Sequence, residues 1–102
     1  MKTKKFFVIG ALAAVVLSST SALATTEYPD GAIWKHGTTG LLGGGTLYSE
    51  YYNYDHTYSY ASVINAKGVS DDNTQSKPEV FAKASVKAVA LKTDHAYYNY
   101  WD

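Results

Sequence analysis

The chain is expected to fold as a small all-β domain behind a cleavable secretory leader. Three observations predict this. The N-terminus runs from basic through apolar to small residues. No cysteine occurs anywhere. After the leader, runs rich in tyrosine, threonine and β-branched residues alternate with short polar turns. At 102 residues the chain holds one domain at most.

Lys2, Lys4 and Lys5 supply the positive start, Phe6 to Leu17 is apolar or small, and Ser18 to Ala24 is short and polar. Ala22-Leu23-Ala24 has the small-x-small pattern that a signal peptidase accepts, which places the cut between Ala24 and Thr25. Residues 1–24 are then the signal peptide and residues 25–102 the mature domain. A membrane anchor fits less well, because the apolar run falls short of the roughly 20 residues a spanning helix needs. With no cysteine after that run, a lipid-anchored form is excluded.

All nine basic residues are lysines, and three of them lie in the leader, which has no acid. Six lysines against nine acids leave the mature domain at −3. Nucleic-acid binding needs clustered cations, and membrane-disrupting peptides need a lysine-rich face, so neither class fits. Without disulfides the domain must stand on packing, and a core this small rarely yields more than roughly 3 to 5 kcal/mol net. Large aromatic side chains are the expected compensation.

Thr25 to Gly31 reads as a flexible entry arm, and Ala32 to His36 as a short strand. Gly37 to Gly45, with five glycines, reads as a mobile connection. It is no phosphate loop, because Thr46 follows where a lysine is required. Thr46 to Tyr54 and Thr57 to Ala66 look like consecutive strands, with Asn53-Tyr54-Asp55-His56 as a hairpin turn. Lys67 to Pro78 reads as a solvated loop in which Asp71 and Asp72 lack the alternating spacing of a calcium site. Glu79 to Lys92 alternates as a strand does, although Val80, Ala84, Ala88 and Leu91 would also line a helical stripe. Strand is the stronger match. His95 to Trp101 is an aromatic last strand, with His95, Tyr97, Asn99 and Trp101 on one face.

His36, His56 and His95 are far apart in sequence and come without cysteine, so no metal site or other cofactor is expected. Serine, histidine and carboxylate are all present, but no glycine-framed nucleophile turn is, and an enzyme is not expected. Thirteen aromatic residues in the mature domain exceed what one small core can bury. Several phenol rings should therefore face solvent, where they suit contact with sugars, peptides or a partner surface.

Trp34-Lys35-His36-Gly37, Tyr48-Ser49-Glu50-Tyr51, and Ala61-Ser62-Val63 followed by Asn65 form an ordered series. Phe81-Ala82-Lys83-Ala84-Ser85 and Ala96-Tyr97-Tyr98-Asn99-Tyr100-Trp101 complete it. Together these segments resemble the lactococcin 972 family of secreted bacteriocins, with Phe81 where the family commonly has tryptophan. The resemblance implies a β-sandwich of two short antiparallel sheets, secretion by a Gram-positive bacterium and action on related bacteria. It further implies binding of the cell-wall precursor lipid II, block of septum formation without pores or membrane insertion, and an immunity transporter in the producer. Self-association is compatible with it. No contact residue carries over by position. The candidates for target binding are Trp34, Lys35, His36, Tyr48, Tyr51, Tyr98 and Trp101. The competing reading is a non-toxic secreted adhesion module that recognises carbohydrate or protein through surface tyrosines.

Overall fold

The computed structural model describes residues 17–19 and 24–102, so most of the expected leader, including Ala22 and Leu23 of its cleavage pattern, lies outside the described residues. Eight strands follow in order: β1 (Leu17–Ser19), β2 (Thr25–Glu27), β3 (Ile33–Thr38), β4 (Thr46–Tyr52), β5 (Tyr58–Ile64), β6 (Ser70–Gln75), β7 (Ala82–Lys87) and β8 (Asp94–Trp101). They make two antiparallel sheets, one in the order β2-β3-β4-β7 and one in which β8, β5 and β6 carry β1 at the margin of β8. The expected all-β sandwich of two short sheets is what the chain forms.

Size complementarity explains how these residues fill the space between the sheets. On β4 the inward positions are Leu47, Ser49 and Tyr51, all buried, while Thr46, Tyr48, Glu50 and Tyr52 point outward. Tyr51 lies opposite Ala82 on β7, and Tyr98 of β8 lies opposite Ala61 on β5. Small neighbours leave room for the rings of Trp34, Tyr51 and Tyr98, and the core closes around Ala32, Ala61, Ala82, Ala84, Ala88 and Ala96. Ser49 joins the sheets, accepting from Trp34 Nε1 at 2.9 Å and donating to the carbonyl oxygen of Tyr97 at 2.8 Å.

Several expectations are corrected. Lys67 to Pro78 is not a loop throughout, because Ser70–Gln75 pairs with β5 over six positions. Its polar side chains have strand-specific partners: the Ser85 and Lys83 backbone N–H groups donate to Asp71 Oδ2 and Asn73 Oδ1, so β6 also covers the margin of β7. Nor is Thr25 to Gly31 a free arm. Thr25–Glu27 pairs with β3, Glu27 bonds His36, and Pro29–Gly31 forms a single 3-10 turn. The glycine connection starts later than expected, since Gly37 and Thr38 belong to β3.

Asn53 to His56 is a crossing from one sheet to the other rather than a hairpin, as β4 and β5 pair with different partners. Asn53 holds it, accepting the His56 N–H and donating to Ser59 Oγ at 2.6 Å. Glu79 to Lys92 resolves to the strand Ala82–Lys87 followed by a turn, with no helix.

Candidate functional site

A line of rings threads the sandwich. His36 lies 3.8 Å from Trp34, Trp34 4.8 Å from Tyr98, and Tyr98 4.6 Å from Tyr51 at an interplanar angle of 14°. Tyr51 then meets Tyr100 at 6.2 Å, and Tyr100 stacks on His56 at 4.3 Å. Alternation on β3, β4 and β8 puts these rings on inward faces, where offset stacking adds to the area they bury.

The open end of this line is a cleft of about 100 Å³ beside the 3-10 turn and the β4–β5 crossing, lined among others by Asp30, Tyr51, Tyr54, Asp55, His56 and Tyr100. Asp30 stands in the left-handed region at φ 50°. Burial pushes the phenols of Tyr51 and Tyr98 upward, and the nearby Asp30 carboxylate adds to both shifts. On the rim, His56 Nδ1 lies 3.1 Å from Asp102 Oδ2, and the Thr57 N–H donates to the other carboxylate oxygen. The His56 bond and the Thr57 N–H hold the Asp102 carboxyl below its usual range.

This arrangement can bind a ligand. Rings and hydrogen-bonding carboxylates at one opening suit a sugar or peptide head group. The fully buried serines Ser49 and Ser59 are hydrogen bonded to Trp34, Tyr97 and Asn53, not to a histidine. Among the described residues, no group of three histidines, cysteines or acids could hold a metal ion.

The seven candidate residues do not converge. Trp34, His36, Tyr51 and Tyr98 form the buried ring line, with Trp34 and Tyr51 each only 1% exposed. Lys35 is on the outer face of β3, its Nζ 5.4 Å from the Phe81 ring, and Tyr48 is half-buried on the outer face of β4. Trp101 lies on the outer face of the other sheet, stacked on Tyr58 at 5.1 Å. Asp30, Tyr54, Asp55, His56 and Tyr100 were not among the candidates. The turn signal at Asn53 to His56 marks three of them, whereas nothing local brings Asp30 to that turn.

His36 is the most enclosed member. Its Nε2–H donates to Glu27 Oε2 at 2.7 Å, while Nδ1 is buried without a partner. Burial lowers its pKa below the ordinary 6.5 and outweighs the raising effect of Glu27. The neutral ring with its proton on Nε2 leaves only a lone pair unmatched.

The chain thus forms a disulfide-free β-sandwich with a stacked aromatic interior and a small cleft at one end. Its sequence matches the model of the family described as Bacteriocin (Lactococcin_972) over residues 30–98. The chain therefore belongs to the lactococcin 972 family of bacteriocins. The solved structure of Lactococcin 972 is similar to it, with 33% sequence identity and a TM-score of 0.54, over 69% of this chain and 98% of that one. Among curated proteins, none matches.

Proposed function

We propose that this protein is exported and inhibits related Gram-positive bacteria by binding lipid II and blocking septum formation, without forming a pore. The observation that carries the reading is the cleft at the end of the ring line, where Tyr54, Tyr100 and His56 flank Asp30 and Asp55. Phenol and imidazole faces stack on sugar rings, and carboxylates accept hydrogen bonds from hydroxyl and amide groups. In this reading Tyr51 and Tyr98 support the cleft from below, with Trp34 and His36 behind them. Lys35, Tyr48 and Trp101 offer further contact surface. A mature charge of −3 opposes lysis of anionic membranes. A producer making such a protein needs its own protection, which an immunity transporter would supply.

The test applies the secreted product to dividing related bacteria while septa and membrane potential are followed. Growth should stop at septation with the potential intact, and added lipid II should relieve the arrest. Early depolarisation, or arrest indifferent to added lipid II, would refute the reading. Binding without any growth inhibition would point instead to a non-toxic adhesion module.

A further inference from the structure

The end of the sandwich opposite the cleft has a different chemistry. Three connections meet there, at residues 39–45, 65–69 and 88–93, and none contains an acid. Two are tied together: the Leu91 N–H donates to Leu42 O at 3.3 Å and the Ala88 N–H to Gly45 O at 2.9 Å. Every large aliphatic side chain that stands exposed among the described residues is here, namely Leu41 at 86%, Leu42 at 54%, Leu91 at 62% and Val69 at 53%.

Backbone strain sharpens the point. Leu42 and Leu91 occupy the left-handed region at φ 55° and φ 60°. Bulky side chains avoid that region, and glycine or asparagine would hold the same turns with less strain. More than half of each residue stays exposed, so little burial within the chain offsets it. Glycine is used nearby where it is needed: a Cβ on Gly40 would lie 2.6 Å from the Gly45 nitrogen. A leucine at each strained position thus points to a contact outside the domain.

Charge narrows what that is. Lys67 and Lys87 line a cavity of about 440 Å³ between these connections, beside Val69 and Ala90. Lys92 follows Leu91 in the same turn. Half of the mature domain's six lysines thus ring its aliphatic tip, although the domain as a whole is acidic. Asp94, which follows the third connection, is buried and accepts from the Ala66 and Val89 N–H groups, and the exposed Asp71 beyond Val69 accepts from the Ser85 N–H on β7. Aliphatic side chains inside a lysine rim match the interface of a bilayer with anionic head groups.

We infer that the tip formed by residues 39–45, 65–69 and 88–93 docks on an anionic lipid surface, inserting Leu41, Leu42 and Leu91 shallowly while its lysines meet the head groups. This goes beyond the proposed target and requires no wall precursor. No helix among the described residues is long and apolar enough to cross a membrane, and docking spans nothing. The cleft would then face away from the bilayer by the length of β4, roughly 20 Å.

Flotation of the secreted product with vesicles free of any wall precursor tests the inference. The protein should rise with phosphatidylcholine–phosphatidylglycerol vesicles, rise far less with phosphatidylcholine alone, and release no trapped dye. Replacing Leu42→Gly and Leu91→Gly together should leave the melting temperature unchanged or higher, because glycine fits both turns, while weakening vesicle binding roughly tenfold. The pair Lys67→Glu and Lys92→Glu, on exposed side chains, should weaken anionic-vesicle binding by at least as much. Absence of flotation, equal flotation with neutral vesicles, or binding that survives both pairs would overturn the inference. So would a dimer, seen by sedimentation, that the leucine pair abolishes, since the tip would then pack on a second copy.

Discussion

Asn73 and Lys83 join the two sheets at a margin where no backbone ladder does. The Lys83 N–H donates to Asn73 Oδ1 at 3.2 Å, and two residues away the Ser85 N–H donates to Asp71 Oδ2 at 3.0 Å. That spacing follows from the strand period, which turns every second side chain of β6 toward β7. Side chains here replace the neighbouring strand that β7 lacks.

Removing this stitch should weaken the fold and expose an edge. Each hydrogen bond contributes about 1 kcal/mol net, so Asn73→Ala should lower the melting temperature by about 5 °C, with a larger loss when Asp71→Ala is added. Melting followed by circular dichroism measures both. Turbidity on heating should also rise, because the uncovered β7 edge can pair with another chain. An unchanged melt would show that the stitch is incidental.

At Ser49 the link between the sheets depends on one hydroxyl. Ser49→Ala strands the buried Trp34 N–H and frees the Tyr97 carbonyl. Leaving a buried donor unmatched costs about 2 kcal/mol, a large share of what a domain this size possesses. Denaturant unfolding followed by tryptophan fluorescence should show a lower midpoint at unchanged slope. An unchanged midpoint would mean that water serves Trp34 equally well.

The strands that were legible in the sequence carry their own pattern. β4, β5 and β8 run seven or eight residues and are rich in tyrosine with other aromatic or β-branched side chains, and the alternation of β7 shows in its buried alanines and exposed lysines. β6 was not legible, because Ser-Asp-Asp-Asn is turn composition, its ladder partner is β5, and the groups its side chains bond lie ten and fourteen residues away on β7. Thr25–Glu27 was missed for a similar reason, its anchor being His36. For the candidate site, composition showed a surplus of rings but not which side of a strand each takes. Tyr54 and His56 sat in a turn that the sequence did mark. Asp30 joins them only through the sandwich.

Acid should loosen the domain through His36. Its folded pKa is depressed, so as pH falls below 6.5 the unfolded chain takes up the proton first. Stability from this group is therefore full above 6.5 and declines as pH falls through 6.5 toward the lower folded value. Melting temperatures between about pH 7.5 and about pH 5 should fall with acidification, and a His36→Gln variant should show a flatter profile. A wild-type melt that rises on acidification would reverse the assigned sign.

Export predicts a defined N-terminus. Intact-mass analysis of culture medium should find a product beginning at Thr25, because Ala22 and Ala24 occupy the small-residue positions of the cleavage pattern. An extracellular form that retains Phe6 to Leu17 would exclude it.

The C-terminal strand should be required for folding and not only for binding. β8 pairs with β5 from His95 to Trp101, and a chain ending at Ala96 loses five of those seven partners. It also loses the Tyr98 ring from the core, the Tyr97 carbonyl that Ser49 bonds, and the Asp102 carboxylate that holds His56 and Thr57. Burying one large apolar side chain contributes roughly 1.5 to 3 kcal/mol, so Tyr98 alone approaches the few kcal/mol available to a small domain without disulfides. Tyr100, packed against the same cluster, adds to the loss. β5 would meanwhile become an unpaired edge on that side, which favours aggregation over a partly folded monomer. Thermal melting by circular dichroism should show no cooperative transition for the shortened chain. A native-like cooperative melt with lost target affinity would instead make Tyr97 to Asp102 a binding tail, which the inward rings of Tyr98 and Tyr100 argue against.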